Sequence, residues 1–192
     1  MAAAQAQNKL VGECALQFQI TEQKANGSMA SIGTKEVWVK GNQCKTTLTT
    51  AQLVQTFLFN TQLDKATITK DIGQSHFLQT IKYPPVSKIS LLAQEAIATD
   101  STTHILGYRC KALQLKWSDG SIYDILYTDE LNLTVNQFEL GFKNIPGLVL
   151  SYTITGAKGI RIKYQATKLD LSPLSLSLFT INNELYQAID EN

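Results

Sequence analysis

Carboxylates, imidazoles, thiols and hydroxyls are the side chains that could do chemistry, and in this 192-residue sequence their spacing argues against it. His76 and His104 are the only histidines, and neither has an Asp, Glu or Cys at ligand spacing, so no metal site is expected. No serine lies in Gly-x-Ser-x-Gly, and no Ser-His-Asp set follows from spacing. Asp64, Asp71 and Asp129-Glu130 offer the paired carboxylates a glycosidase-like hydrolase would need, yet carboxylates at turns and loop starts routinely serve the backbone. Cys14, Cys44 and Cys110 are far apart and form no Cys-x-x-Cys, which excludes thioredoxin-type chemistry. Two states remain open for them: one disulfide with a free thiol, or three buried thiols. The expectation is a protein that is not an enzyme and carries no cofactor.

One carboxylate stands apart. Cys110–Trp117 and Ile122–Tyr127 flank Asp119-Gly120, a dipeptide suited to a two-residue type I′ hairpin turn. That register sets Trp117 opposite Ile122, Leu115 opposite Asp124 and Leu113 opposite Leu126. Asp124 would then be the lone carboxylate on an apolar face. Buried there, its pKa would rise by as much as roughly 3–5 units and its carboxyl could meet a ligand head group. The alternatives are a basic partner, or a three-residue loop that turns it to solvent.

The elements positioning these residues are mostly strands. Glu13–Thr21 alternates, with Cys14, Leu16, Phe18 and Ile20 on one face. Lys35–Lys40 turns through Gly41-Asn42 into Cys44–Thr49, and Val54–Asn60 is apolar on both faces, Phe57 and Phe59 against Val54 and Leu58. Lys65–Asp71 and His76–Lys82 pair about Ile72-Gly73-Gln74. Tyr83-Pro84-Pro85 ends this meander, and the spacing of Ile89, Leu92, Ala93 and Ala96 predicts a short helix over Ser87–Ala96, or passage into a strand near Glu95–Thr99. Strands resume over Thr103–Tyr127, Asp129–Asn144 reads as a connection, and Pro146–Thr155 with Ile160–Leu169 makes a last hairpin. The tail, 172–189, predicts one or two helical turns. Short strands every ten residues or so favour a mainly β (α+β) fold, a half-open antiparallel barrel or strongly curved sheet with a few short covering helices.

Composition bounds the partners. A net charge of +1 lacks the clustered Lys and Arg that nucleic acid requires, and no apolar run is long enough for a transmembrane span. Ala4-Gln5-Ala6 has the form of a signal-peptidase site with no apolar stretch ahead of it. Residues 1–12 are therefore expected to be a flexible leader, of a mature exported protein or an ordinary one, before a single β-barrel-like domain over 13–192.

Ile105-Leu106-Gly107-Tyr108-Arg109-Cys110-Lys111-Ala112 and Ile145-Pro146-Gly147-Leu148-Val149-Leu150 resemble a family of exported bacterial envelope proteins known by the motif Gly-Leu-Pro-Gly-Leu-Ile, with Asn144-Ile145 standing in place of Gly-Leu. The likeness follows strand order from about Cys14 to Ile154. It implies a fold similar to the periplasmic lipoprotein carriers, an incompletely closed antiparallel barrel, and a periplasmic or secreted location after signal-peptide removal. Independently of the family, Gly107 would permit a bulge or close backbone approach, and Pro146-Gly147 would start a strand.

The leading functional expectation is a non-enzymatic envelope protein that binds an apolar ligand, an acyl chain or a lipoprotein's lipid. Phe57, Phe59, Leu113, Leu115 and Trp117 would line the cavity, with Asp124 at its rim. About 0.8 kcal/mol per buried methylene would hold the chain. Side chains filling the barrel are the alternative state of the interior. The alternative function is a structural or adaptor module that binds another envelope protein.

Overall fold

Alternation of apolar and polar side chains sets nearly every element of this chain, and the strands follow it closely. A computed structural model of the protein describes residues 9–24, 26–83, 95–139, 141–156 and 159–189. A first antiparallel meander comprises β2 (Glu13–Gln23), β3 (Met29–Lys40), β4 (Gln43–Thr50), β5 (Val54–Asn60), β6 (Lys65–Ile72) and β7 (Ser75–Lys82). A second comprises β8 (Glu95–Ile105), β9 (Tyr108–Lys116), β10 (Ile122–Thr128), β12 (Leu148–Thr155) and β13 (Arg161–Asp170). Pairing of β2 with β13 joins them into one strongly curved, unclosed sheet. With β14 (Gln187–Ala188) laid parallel on β7, the described residues form twelve strands in it. The half-open β architecture expected from the sequence is what the chain adopts.

One face of the sheet carries the core. Cys14, Leu16, Phe18 and Ile20 of β2 are buried as their alternation requires, beside Val37, Val39, Cys44 and Phe59 of the next strands. Cys14 and Cys44 both flank Val39 in register, two strand spacings apart. That is about 9.5 Å, too far for a disulfide. All three cysteines are free and buried.

The hollow of the sheet is partly filled by its own chain. The 129–144 connection forms β11 (Leu131–Leu133), parallel to β1 (Lys9–Val11), and a 3-10 turn at Phe142–Asn144. Among the described residues, strand pairing thus includes Lys9–Val11. Leu131, Val135, Phe138, Phe142 and Ile145 are buried, and Asn136 Nδ2 reaches the carbonyls of Phe142, Ile145 and Gly147. Phe138 and Phe142 pack against Phe18 and Tyr152, with ring centroids 5.1–6.1 Å apart. A second strap, the tail, contributes 3-10 turns at Leu176–Phe179 and Asn183–Leu185. Lys40 and Lys45 anchor it by donating to the carbonyls of Leu174 and Leu178.

Several local expectations are corrected. Asp119-Gly120 is not a two-residue turn: Trp117 N donates to Ser121 O and Gly120 N to Trp117 O, with Gly120 at φ 82°. This is a three-residue loop, held by Asp119 Oδ1 accepting from the Ser121 amide and hydroxyl. Gly107 makes no close approach and no bulge. With Leu106 it forms the exposed turn between β8 and β9, both at positive φ. The close approach is at Gly147, where an added Cβ would lie 2.0 Å from Thr128 O, and the strand begins one residue later. Of the predicted helix over 87–96, residues 87–94 lie outside the described residues; from Glu95 the chain is strand.

Candidate functional site

Lys35 sits in phase with Val37 and Val39 on the inner face of β3, a lysine where the pattern calls for an apolar residue. It is 5% exposed. Its ammonium pairs with Oε1 of Glu139 on the buried connection and donates to Tyr152 Oη at 3.2 Å and Phe138 O at 3.4 Å. Tyr152 Oη donates to the same Oε1 at 2.9 Å. Phe138, Tyr152 and Tyr164 surround the charge, their ring centroids 5.6–5.9 Å from Nζ. A buried cation is tolerable only with such pairing and hydrogen bonding.

This group forms the floor of a cavity of about 320 Å³. Its walls come from the first meander: Thr46 and Leu48 of β4, Gln55 and Phe57 of β5, Ile68 of β6, Ile81 of β7 and then Tyr83. Tyr164, Gln137 and Phe138 complete it. Phe57, Phe59 and Tyr83 form an aromatic cluster with centroids 4.8–5.4 Å apart. Burial pushes the Tyr83 and Tyr164 phenols up to about 12, so both are neutral walls at physiological pH. Nothing here is arranged as a nucleophile with a base. The site can hold an apolar body against aromatic rings and one polar group against Glu139.

The six residues expected to line one site are divided among four places. Phe57 lines this cavity, with Phe59 packed beneath it. Leu113 and Leu115 face a second hollow of about 250 Å³, together with Ala96, Lys143, Asn144 and Ile145. Residues 137–139 of the connection wall the first hollow and 141–145 the second, so one segment separates them. Trp117 packs on Tyr123, centroids 5.3 Å apart, outside both linings. Asp124 points to the opposite face, where it borders a further hollow of about 360 Å³ that Leu113 also touches. The three-residue loop moves the register by one, placing Asp124 opposite Gln114, which donates to it at 2.8 Å, with Arg161 at 3.8 Å. At 45% side-chain exposure, with a basic neighbour and a three-residue loop turning it outward, it follows the alternatives expected for it and not the buried state.

The remaining chemical candidates are dispersed. His76 Nδ1 meets Asp71 Oδ1 at 2.8 Å across the β6–β7 hairpin, an exposed pair made by register rather than sequence spacing. Asp129 pairs with Lys111, and Glu130 caps the Arg109 amide. Among the described residues no group of three His, Cys, Asp or Glu side chains is placed to hold a metal. No described helix is long and apolar enough to cross a membrane.

Neither a family model nor a curated protein sequence matches the chain. The family likeness read at residues 105–150 therefore stays a likeness. Solved structures do match. PNGF-II in its C2 crystal form superposes with a TM-score of 0.57 at 16% identity, over 94% of this chain and 31% of that one. The chain thus spans about a third of that protein, and what the two share is the fold. MucB in complex with MucA(peri) superposes at 0.47 with 13% identity, over 90% and 55% of the two chains. A LolA superfamily protein from Nitrosomonas europaea superposes at 0.37 with 10% identity, over 88% and 90%.

Proposed function

We propose that this protein binds an apolar ligand, or the lipid moiety of a partner, in the cavity between β3–β7 and the 137–139 segment, and does so without catalysis. The observation that carries this reading is a hollow whose walls are aromatic and aliphatic, with a paired Lys35–Glu139 floor. Its 320 Å³ lies at the lower end of small-molecule sites, about ten water volumes of roughly 30 Å³ each, so it suits a short apolar segment rather than a whole long acyl chain. At about 0.8 kcal/mol per methylene removed from water, even a short segment gives useful affinity, while return to a membrane remains nearly neutral. A place in the envelope, exported and freed of a signal peptide, belongs to the same proposal. It is supported by the motif likeness at residues 105–150.

The test fills the cavity. Ile68 is a half-buried wall residue, and Ile68→Trp would occupy the space a ligand needs. The wild-type protein should bind N-phenyl-1-naphthylamine with a fluorescence rise that octanol competes away, and the variant should lose at least about tenfold in affinity with an unchanged thermal midpoint. Equal binding by the two proteins would refute the site.

A further inference from the structure

Resting on that reading of the cavity, we propose that the polar end of its ligand is an uncharged hydrogen-bond donor, a hydroxyl, seated on Oε2 of Glu139. An ammonium has three hydrogens, and those of Lys35 are committed to Glu139 Oε1, Tyr152 Oη and Phe138 O. The buried cation therefore has nothing left to offer a carboxylate or phosphate. Glu139 Oε1 is occupied as well, taking Lys35 and Tyr152 together. Oε2 accepts no hydrogen bond among the described residues, and its side chain is 26% exposed where it lines the hollow. A carboxylate oxygen accepts and does not donate, so the group that satisfies it must donate.

Charge makes the donor neutral. One lysine and one glutamate balance each other at the cavity floor, and among the described residues no other ionisable side chain but the neutral phenols of Tyr83 and Tyr164 lines it. An ammonium-headed ligand would bring a third charge beside Lys35, and an anionic one would face Glu139. The anion is left desolvated without a partner, and the ammonium, although Oε2 could accept from it, adds a second positive charge beside Lys35; a hydroxyl avoids both costs. The class is thus an alcohol-headed aliphatic, such as a fatty alcohol or a glyceride with a free hydroxyl.

Two isomers separate this from simple hydrophobic binding. 1-Octanol and heptyl methyl ether have the same atoms, but only the alcohol donates. In displacement of N-phenyl-1-naphthylamine, octanol should bind about tenfold tighter than the ether and tighter than octanoate or octylammonium. In the Lys35→Met/Glu139→Leu double variant, which removes both charges together, the alcohol-to-ether ratio should fall to within about twofold. Ether binding equal to octanol in the wild type, or octanoate binding more tightly, overturns the inference and leaves the cavity reading intact. Failure of every probe to bind overturns the cavity reading itself. Should the double variant not fold, the wild-type ratio still decides.

Discussion

Tyr152 and Tyr164 stand opposite each other in the β12–β13 register and stack nearly parallel, 4.3 Å between centroids and 5° between planes. The stack roofs Lys35 on one side and contacts Phe18 and Phe142 on the other. It ties the central strands to the segment that fills the hollow. The same burial that makes this packing possible makes it sensitive to alkali.

Burial holds the Tyr152 phenol well above 10.0 and raises Tyr83, Tyr123 and Tyr164 to about 12. It raises Cys14 from 9.0 to about 12, and Cys44 also upward. Unfolded, these groups ionise near their ordinary values; folded, they keep their protons. Stability from them is complete below about pH 9 and is lost as pH climbs through the folded values near 12. Urea midpoints measured under reductant should fall steadily above about pH 9. Tyr152→Phe should flatten that fall, while costing about 1–2 kcal/mol at neutrality because Lys35 and Glu139 lose a partner. A midpoint that holds steady to about pH 11 would contradict the burial of these groups.

Gly147 has no room for a side chain. A Cβ there would lie 2.0 Å from Thr128 O and 2.8 Å from its carbonyl carbon, at a φ of 157°. Gly147→Ala should cost at least about 3 kcal/mol, as the backbone cannot yield the way a flexible side chain does. Gly12→Ala, with nothing within 4 Å, should stay within about 0.5 kcal/mol of wild type. Equal thermal midpoints for the two variants would refute the close approach.

The thiols give a third check. Cys14, Cys44 and Cys110 are free, buried and raised in pKa by desolvation, so an aromatic disulfide reagent should modify none of them rapidly in the folded protein. All three should react at once in denaturant without prior reduction. Recovery of only one thiol from unreduced protein would show a disulfide and contradict the three free thiols.

How much was legible follows from how local each signal is. Val54–Asn60 is β5 to the residue, and Gly41 and Gly73 mark two-residue turns by positive φ. Strand alternation needs only nearest neighbours, so the meanders were readable. The Asp119-Gly120 register was not, because that dipeptide serves a two-residue turn and the end of a three-residue loop equally well. A single residue of slip sent Asp124 to the other face. The filling segment was missed for a different reason. Leu131, Leu133, Val135, Phe138 and Phe142 follow no one period, and their partners Phe18, Lys35 and Tyr152 are remote in sequence. Lys35 did leave one trace, a cation in the apolar phase of a strand. Its counter-ion, 104 residues away, left none.

The pairing of β2 with β13, with Ala15 opposite Asp170, also governs the order of assembly. Each meander can zip from its own hairpins as soon as its residues exist, because the loops it closes are short apart from the 129–147 connection between β10 and β12. The seam between them cannot, for β2 ends at Gln23 and its partner begins only at Arg161. Closing so long a span is entropically slow, so the joint is expected to be a late event of folding, and an emerging chain carries two half-sheets with bare margins until β13 is made.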